Sequence, residues 1–231
     1  MEKQQSKYEN GCARSLANRA AVLGALILLT GKAWAAEIHI TIKDRKQLPV
    51  HDTVVELVGT EKFGATSGEI EISQKDEEFD PLLTLMPRGT RVRFTNQDPS
   101  KHHVYSVSPG NEFDLPLFHD ESSSPVSFDT PGVVKMGCNI HDWMLAFGYV
   151  SESENLVLTD SRGSARFSDF EGGDYTLKVW NPRLKNNRKV IVQSISLEAE
   201  QTLEHTVEVS LRKKIRKPAR KQNSSDYSGN N

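Results

Sequence analysis

The stretch GCNIHDWM, residues 137–144, places a thiol, an imidazole and a thioether on one short segment of the chain. These groups belong to Cys138, His141 and Met144, which follow one another at intervals of three residues. The runs on either side have the β-branched and aromatic composition of strands. The segment is therefore predicted to be the loop of a β-hairpin that carries three side chains able to bind a soft metal ion.

A second candidate segment lies upstream, in VRFTNQDPSKHHVYSV at residues 92–107. Its pattern predicts a strand, a turn and a further strand, with His102 and His103 where the second strand begins. One of these two imidazoles is expected to be a fourth ligand. The alternation of side chains along a strand favours His102, and His103 is the alternative.

These residue types together predict a single bound copper ion. A thiolate and two imidazoles in a plane, capped by a weak thioether, form the ligand set of copper sites that carry single electrons. A thioether is a poor ligand for structural zinc, and a catalytic cysteine needs a base aimed at it from a separate element. We therefore expect no enzymatic activity and a metal site built from His102, Cys138, His141 and Met144.

The motif Cys-x2-His-x2-Met, preceded by Asn96 and His102 in the spacing Asn-x5-His, resembles that of the blue copper proteins, or cupredoxins. The resemblance is closest to amicyanin-like and plastocyanin-like members and covers about residues 68–150. It implies a Greek-key β-sandwich with a type 1 copper ion that exchanges electrons with redox proteins such as a c-type cytochrome or a dehydrogenase. Ile140 departs from the pattern, since the family usually has proline between the cysteine and the histidine.

After residue 36 the chain shows short alternating or β-branched runs and no long helical periodicity. Gly, Pro, Asp and Asn separate these runs, which indicates an all-β protein. The predicted strands are 37–43, 52–58, 68–73, 82–86, 90–95, 103–108, 124–129, 132–137, 145–150, 156–159, 164–168, 174–180, 188–197 and 202–211. They are too many for one sandwich of about 100 residues.

A second module is indicated by residues 159–182, which resemble a small prealbumin-like or carboxypeptidase-regulatory-like β-sandwich. The run PVHDTVVEL at 49–57 resembles the opening of such modules. The predicted organisation is N-terminal strands at 37–67, a cupredoxin domain at 68–152 and the prealbumin-like module at 153–211. The N-terminal strands either pack with that module or extend the cupredoxin sandwich. The whole chain resembles cupredoxin-containing methylamine-utilisation proteins.

The first 36 residues, 1–36, have the pattern of a secretory signal peptide. Arg14 and Arg19 precede an apolar run at 20–30, and Ala-Trp-Ala-Ala follows at 33–36. The apolar run is shorter than the ~20 residues that span a bilayer, although an uncleaved anchor is the alternative. Cleavage would leave a periplasmic protein with no stable membrane span and with Cys138 as its remaining cysteine.

Charge is unevenly distributed along the chain. The formal net charge of −2 combines a body, residues 37–210, with 17 basic and 28 acidic residues, and a basic tail at 212–231 that is predicted to be disordered. An acidic body disfavours nucleic acid and favours a basic protein partner. The predicted function is that of a periplasmic electron carrier. The alternative is an envelope copper-binding or copper-carrying protein, or a β-module interaction scaffold.

Overall fold

The computed structural model describes residues 36–59, 68–119, 122–187 and 189–213, which contain strands, turns and loops and no helix. The predicted all-β class is therefore confirmed, and each of the predicted runs overlaps an observed strand. The strands are β1 (Ala36–Asp44), β2 (Val54–Val58), β3 (Glu69–Lys75), β4 (Glu78–Asp80), β5 (Leu83–Pro87), β6 (Thr90–Asn96), β7 (Tyr105–Ser108), β8 (Asn111–Asp114), β9 (Val126–Phe128), β10 (Gly132–Gly137), β11 (Leu145–Ser151), β12 (Leu156–Leu158), β13 (Ser164–Phe170), β14 (Gly173–Trp180), β15 (Ile191–Leu197) and β16 (Thr202–Val209).

Strands β3 to β11 form what we call the metal-loop sandwich. One of its sheets has the order β4-β3-β6-β9 and the other the order β5-β11-β10-β7-β8. Alternate residues of these strands are buried, because successive side chains of a strand point to opposite faces. The buried side chains of both sheets form one hydrophobic core, which includes Ile72, Met86, Val92, Phe94, Phe128, Val134 and Met136.

The remaining strands form what we call the second module, in two sheets of order β13-β1-β16 and β12-β2-β14-β15. Strand β1 pairs with β13 and β16, and β2 pairs with β12 and β14. The N-terminal strands thus hydrogen-bond to the C-terminal strands of the chain. The predicted boundaries at residues 67 and 152 and the prealbumin-like character of this module stay predictions.

Strand β11 contributes to the cores of both halves. Ala146 and Val150 are buried in the core of the metal-loop sandwich, whereas Phe147 and Tyr149 are buried in the core of the second module. The Phe147 ring centroid lies 5.6 Å from that of Trp180. A strand that is covered on both faces has a continuous apolar run, and LAFGYV at 145–150 is such a run.

A buried carboxylate also joins the two halves. Glu56 of β2 is 1% exposed. It accepts hydrogen bonds from the hydroxyl groups of Tyr149 at 2.7 Å and Ser151 at 2.6 Å, and Lys178 Nζ lies 3.7 Å away. Burial raises the pKa of the Tyr149 phenol above its ordinary value, and the negative charge of Glu56 raises it further. Strand β11, which follows the loop that carries Cys138, His141 and Met144, is therefore fixed to the second module by polar as well as apolar contacts.

The predicted terminal segments lie almost wholly outside the described residues. Of the predicted signal peptide only Ala36 is described, and it begins β1. Of the predicted basic tail only Arg212 and Lys213 are described, and the Arg212 amide donates to the Arg183 carbonyl at 2.7 Å. The described part of the chain holds no helix that is long and apolar enough to cross a membrane.

Replacing Glu56 with alanine should lower the free energy of unfolding by roughly 3 kcal/mol, because the buried Tyr149 hydroxyl and the Glu152 amide would lose their acceptor. Denaturant unfolding of the metal-free protein measures the change. Glu152→Ala is the matched control, because the Glu152 side chain is 47% exposed and its loss should change stability by at most ~0.5 kcal/mol. Equal losses in the two variants would contradict this account of Glu56.

Candidate metal centre

His102 lies on a short stretch of chain between β6 and β7 that is fixed by hydrogen bonds. Its amide donates to the Phe118 carbonyl at 3.1 Å, and the Phe118 amide donates back to the His102 carbonyl at 3.1 Å. The Asn96 side-chain amide donates to the carbonyls of Ser100 at 2.8 Å and Phe118 at 3.0 Å. The position of His102 is therefore set by main-chain bonds and by Asn96, and its side chain is fully buried.

The two nitrogens of the His102 ring have different surroundings. Nε2 lies 2.7 Å from Oδ2 of Asp98, and because an ionised carboxylate can only accept, this contact assigns the ring proton to Nε2. Nδ1 is buried and has no hydrogen-bond partner among the described residues. A buried ring nitrogen without a partner is costly unless something binds it. Nδ1 is therefore left as a free donor atom for a metal ion.

The loop between β10 and β11 closes on itself through its main chain. The Met144 amide donates to the His141 carbonyl at 2.9 Å, and the Cys138 amide donates to the Met144 carbonyl at 3.3 Å. Cys138 and Met144 are buried in the core of the metal-loop sandwich, and His141 is partly exposed. The described residues hold one cysteine, Cys138, and its thiol is free.

Three of the predicted residues come together. One donor atom each from His102, Cys138 and His141 lies within 4.8 Å of the other two. Cys138 Sγ is 4.0 Å from His141 Nδ1, and the ring centroids of the two histidines are 4.9 Å apart. The three donor atoms are therefore spaced about as closely as the ligands of a single ion, because bond lengths to such an ion are about 2.0–2.3 Å. Met144 adds a buried thioether from the same loop.

His103 lies outside this group of three. Its Nε2 is 2.6 Å from Oδ1 of Asp114, and its ring centroid is 5.6 Å from that of Tyr105. Successive residues of an extended chain face opposite ways, so that of the two neighbouring imidazoles only one can face the thiol. The imidazole that meets Cys138 in the structure is that of His102.

The donor set fits copper by its chemistry. It combines a soft thiol and thioether with two imidazoles, and such sets suit Cu(I) and Cu(II) better than Mg²⁺ or Ca²⁺, which take oxygen ligands. The unpartnered Nδ1 of His102 is the structural observation that agrees with a bound ion. A thioether in place of a fourth nitrogen, oxygen or thiolate ligand also distinguishes the set from structural zinc sites.

Asp98 is a functional candidate that sequence reasoning missed. Besides His102 it accepts from the amides of Asp76 at 2.6 Å and Glu77 at 2.8 Å. Burial opposes its ionisation, but the Glu77 amide, His102 and the Asp76 amide hold the pKa of Asp98 below its ordinary value. The available signal was an acid four residues before a ligand-type histidine, which by itself is common.

The partly exposed side of the centre has an apolar rim. The Trp143 ring centroid lies 5.2 Å from that of His141, and the indole Nε1 is buried without a partner among the described residues. Ile140, which precedes His141 in the chain, is about half exposed and lines a pocket together with Leu117. Leu145 lines with Trp143 a groove of about 540 Å³.

The comparisons with known proteins gave matches among solved structures alone. No family model matches the sequence, and no curated protein matches it either. The chain is similar to the Cu-containing nitrite reductase of Thermus scotoductus SA-01, at 25% identity and a TM-score of 0.34, over 36% of this chain and 22% of that one. This chain thus spans less than a quarter of the reductase.

Two smaller proteins also match. A purple cupredoxin of Nitrosopumilus maritimus is 24% identical, with a TM-score of 0.31, over 35% of this chain and 98% of that one. A reduced Cu(I) form of an amicyanin variant is 18% identical, with a TM-score of 0.34, over 42% of this chain and 98% of that one. One of these solved structures is named a cupredoxin, the family that the loop motif resembles, and each of the three covers less than half of this chain.

Replacing Asn96 with alanine should lower the free energy of unfolding by about 1–3 kcal/mol, because the side chain is buried and bonds three main-chain groups. Thermal or denaturant unfolding of the metal-free protein tests this expectation. The neighbouring side chain of Gln97 is exposed, so Gln97→Ala should change stability by at most ~0.5 kcal/mol. A stable Asn96 variant would show that Asn96 does not fix the His102 segment.

Proposed function

We propose that this protein binds one copper ion through His102, Cys138 and His141, with Met144 as a weak fourth ligand, and carries single electrons between redox partners. The observation that supports this most strongly is the convergence of three donor atoms within 4.8 Å of one another, from two separate segments of chain. Bound copper would supply the Cu(II)/Cu(I) couple. The sulfur donors favour the reduced state and the imidazoles favour the oxidised state, so the set suits an ion that alternates between them.

The surroundings of the donors support a carrier over an enzyme. Cys138, Met144 and His102 are buried, and Cys138 and Met144 belong to the hydrophobic core of the metal-loop sandwich. Four protein donors leave no open position for a substrate, which catalytic metal sites retain. His141 alone among the four reaches the surface, and we propose its edge as the route by which the electron leaves.

The proposed partners are redox proteins, such as a c-type cytochrome or a dehydrogenase. Ile140, which is exposed and adjoins His141 in the chain, and the Trp143 ring beside His141 offer an apolar contact surface there. The excess of acidic residues in the body of the chain favours partners with a basic surface, which electrostatic steering would bring in rapidly. The predicted signal peptide supports the proposal that this exchange takes place in the periplasm.

The mature protein loaded with Cu(II) should show an intense visible absorption band, because the Cys138 thiolate donates charge to the metal. Cys138→Ser should abolish the band and alter the paramagnetic-resonance spectrum. Met136→Leu is the matched control, since Met136 is another fully buried sulfur residue of the same core, and that variant should keep the band. Copper bound only as colourless Cu(I), with no reversible potential, would favour the alternative function of a copper-carrying protein.

Single alanine variants of the two neighbouring histidines should differ sharply. His102→Ala should lose the band, because one of the three convergent donors is removed, whereas His103→Ala should keep it. The same absorption and paramagnetic-resonance spectra report both outcomes. A band that survives in His102→Ala and disappears in His103→Ala would reverse the ligand assignment.

A further inference from the structure

Asp98 is held in place by four hydrogen bonds, one made by its main-chain amide and three made by its carboxylate. Its amide donates to Oδ1 of Asn96 at 2.9 Å. Its Oδ1 accepts from the Asp76 amide at 2.6 Å, and its Oδ2 accepts from the Glu77 amide at 2.8 Å and from His102 Nε2 at 2.7 Å. Asp98 is also buried, with 7% of its surface exposed. Such a side chain has little freedom to move away from the histidine.

The two amides that hold Asp98 come from a tight turn between β3 and β4. Asp76 and Glu77 both have positive φ, 54° and 56°, which is the conformation of a two-residue hairpin turn of type I′. Non-glycine residues adopt this conformation at some cost, and successive amides in such turns bind anions. Here the anion that they contact is the carboxylate of Asp98. The hairpin therefore fixes the carboxylate that His102 also contacts.

The consequence for His102 is a fixed tautomer and a fixed ring orientation. Because the carboxylate accepts the proton on Nε2, Nδ1 keeps its lone pair. This Nδ1 is the ring nitrogen that has no partner among the described residues. In metal sites, a carboxylate on the far nitrogen of a ligand histidine strengthens the donor and holds the ring in place. A chain of contacts thus runs from the turn at residues 76–77 through Asp98 to the metal centre.

We propose that Asp98 is a positioning residue of the metal centre, which holds His102 in the tautomer that binds the ion and raises the donor strength of its Nδ1. The inference rests on the proposed function, since it assigns a role toward the same bound ion. The competing explanation is that Asp98 only stabilises the hairpin turn. The two differ in what happens at the metal when the carboxylate is replaced.

The neighbouring pair of His103 and Asp114 provides a matched control. It has the same chemistry, with Nε2 of the histidine 2.6 Å from a carboxylate oxygen. The Asp114 side chain is 78% exposed, whereas that of Asp98 is 9% exposed. His103 also lies outside the group of three donors. Asp98→Asn therefore removes the carboxylate from the histidine that meets the thiol, and Asp114→Asn removes one from a histidine that does not.

Competition titrations with a Cu(II) chelator should show that Asp98→Asn lowers copper affinity about 10–100-fold, while Asp114→Asn leaves it unchanged. The reduction potential should rise in Asp98→Asn, because removal of a nearby negative charge disfavours the oxidised ion. A variant that is less stable to denaturant but unchanged in affinity and potential would overturn the proposal in favour of a purely structural role.

A measurement on the metal-free wild-type protein keeps the proposal testable even if Asp98→Asn does not fold. The ¹⁵N chemical shifts of the His102 ring should show a protonated Nε2 and an unprotonated Nδ1. A protonated Nδ1 in the neutral ring would overturn the proposal. Absence of the visible band in copper-loaded wild-type protein would instead contradict the proposed function. If the wild-type protein shows the band but Asp98→Asn and Asp114→Asn have the same copper affinity and reduction potential, the present inference alone is overturned.

Discussion

Two imidazoles and a thiol meet within 4.8 Å only if two distant stretches of chain are kept in register. The pairing of β7 with β10 provides that register, because Tyr105 lies opposite Gly137. Tyr105 follows His102 by three residues, and Gly137 immediately precedes Cys138. The pairing of β10 with β11, with Gly137 opposite Leu145, then closes the loop that carries the remaining donors. A shift of one residue in either pair would turn the donors to the wrong face.

The second module extends this constraint beyond the metal-loop sandwich. A free outer face of β11 would leave Phe147 and Tyr149 in water, at a cost of about 25 cal/mol per Å² of apolar surface. The second module covers that face, and Glu56 bonds the polar atoms at the end of the same strand. The strand that leaves the metal loop is thus held from both sides, which limits how far the loop can move.

The all-β class followed from the sequence because the alternation of strands is a local pattern. The three-residue spacing of the loop likewise brought Cys138 and His141 together, whereas the approach of His102 depends on the long-range pairing of β7 with β10. Strands β4 and β8 were not predicted, because they are short and consist mostly of polar residues. The sequence favoured His102 over His103 by alternation alone, and the structure shows which ring meets the thiol. Asp98 could not be found in this way, since its role depends on a turn more than twenty residues earlier in the chain.

The hydrogen bonds around the centre bear on the proposed electron exchange. The backbones of His102, Cys138 and Met144 are fixed by bonds to Phe118 and to one another, and none of these bonds involves a metal. With copper bound as proposed, the frame would impose its own spacing on the donors in both oxidation states. When neither state can draw the ligands into its preferred geometry, the rearrangement that accompanies electron exchange becomes small. In the proposed carrier, rigidity of the β frame and speed of exchange would then be two consequences of the same set of main-chain bonds.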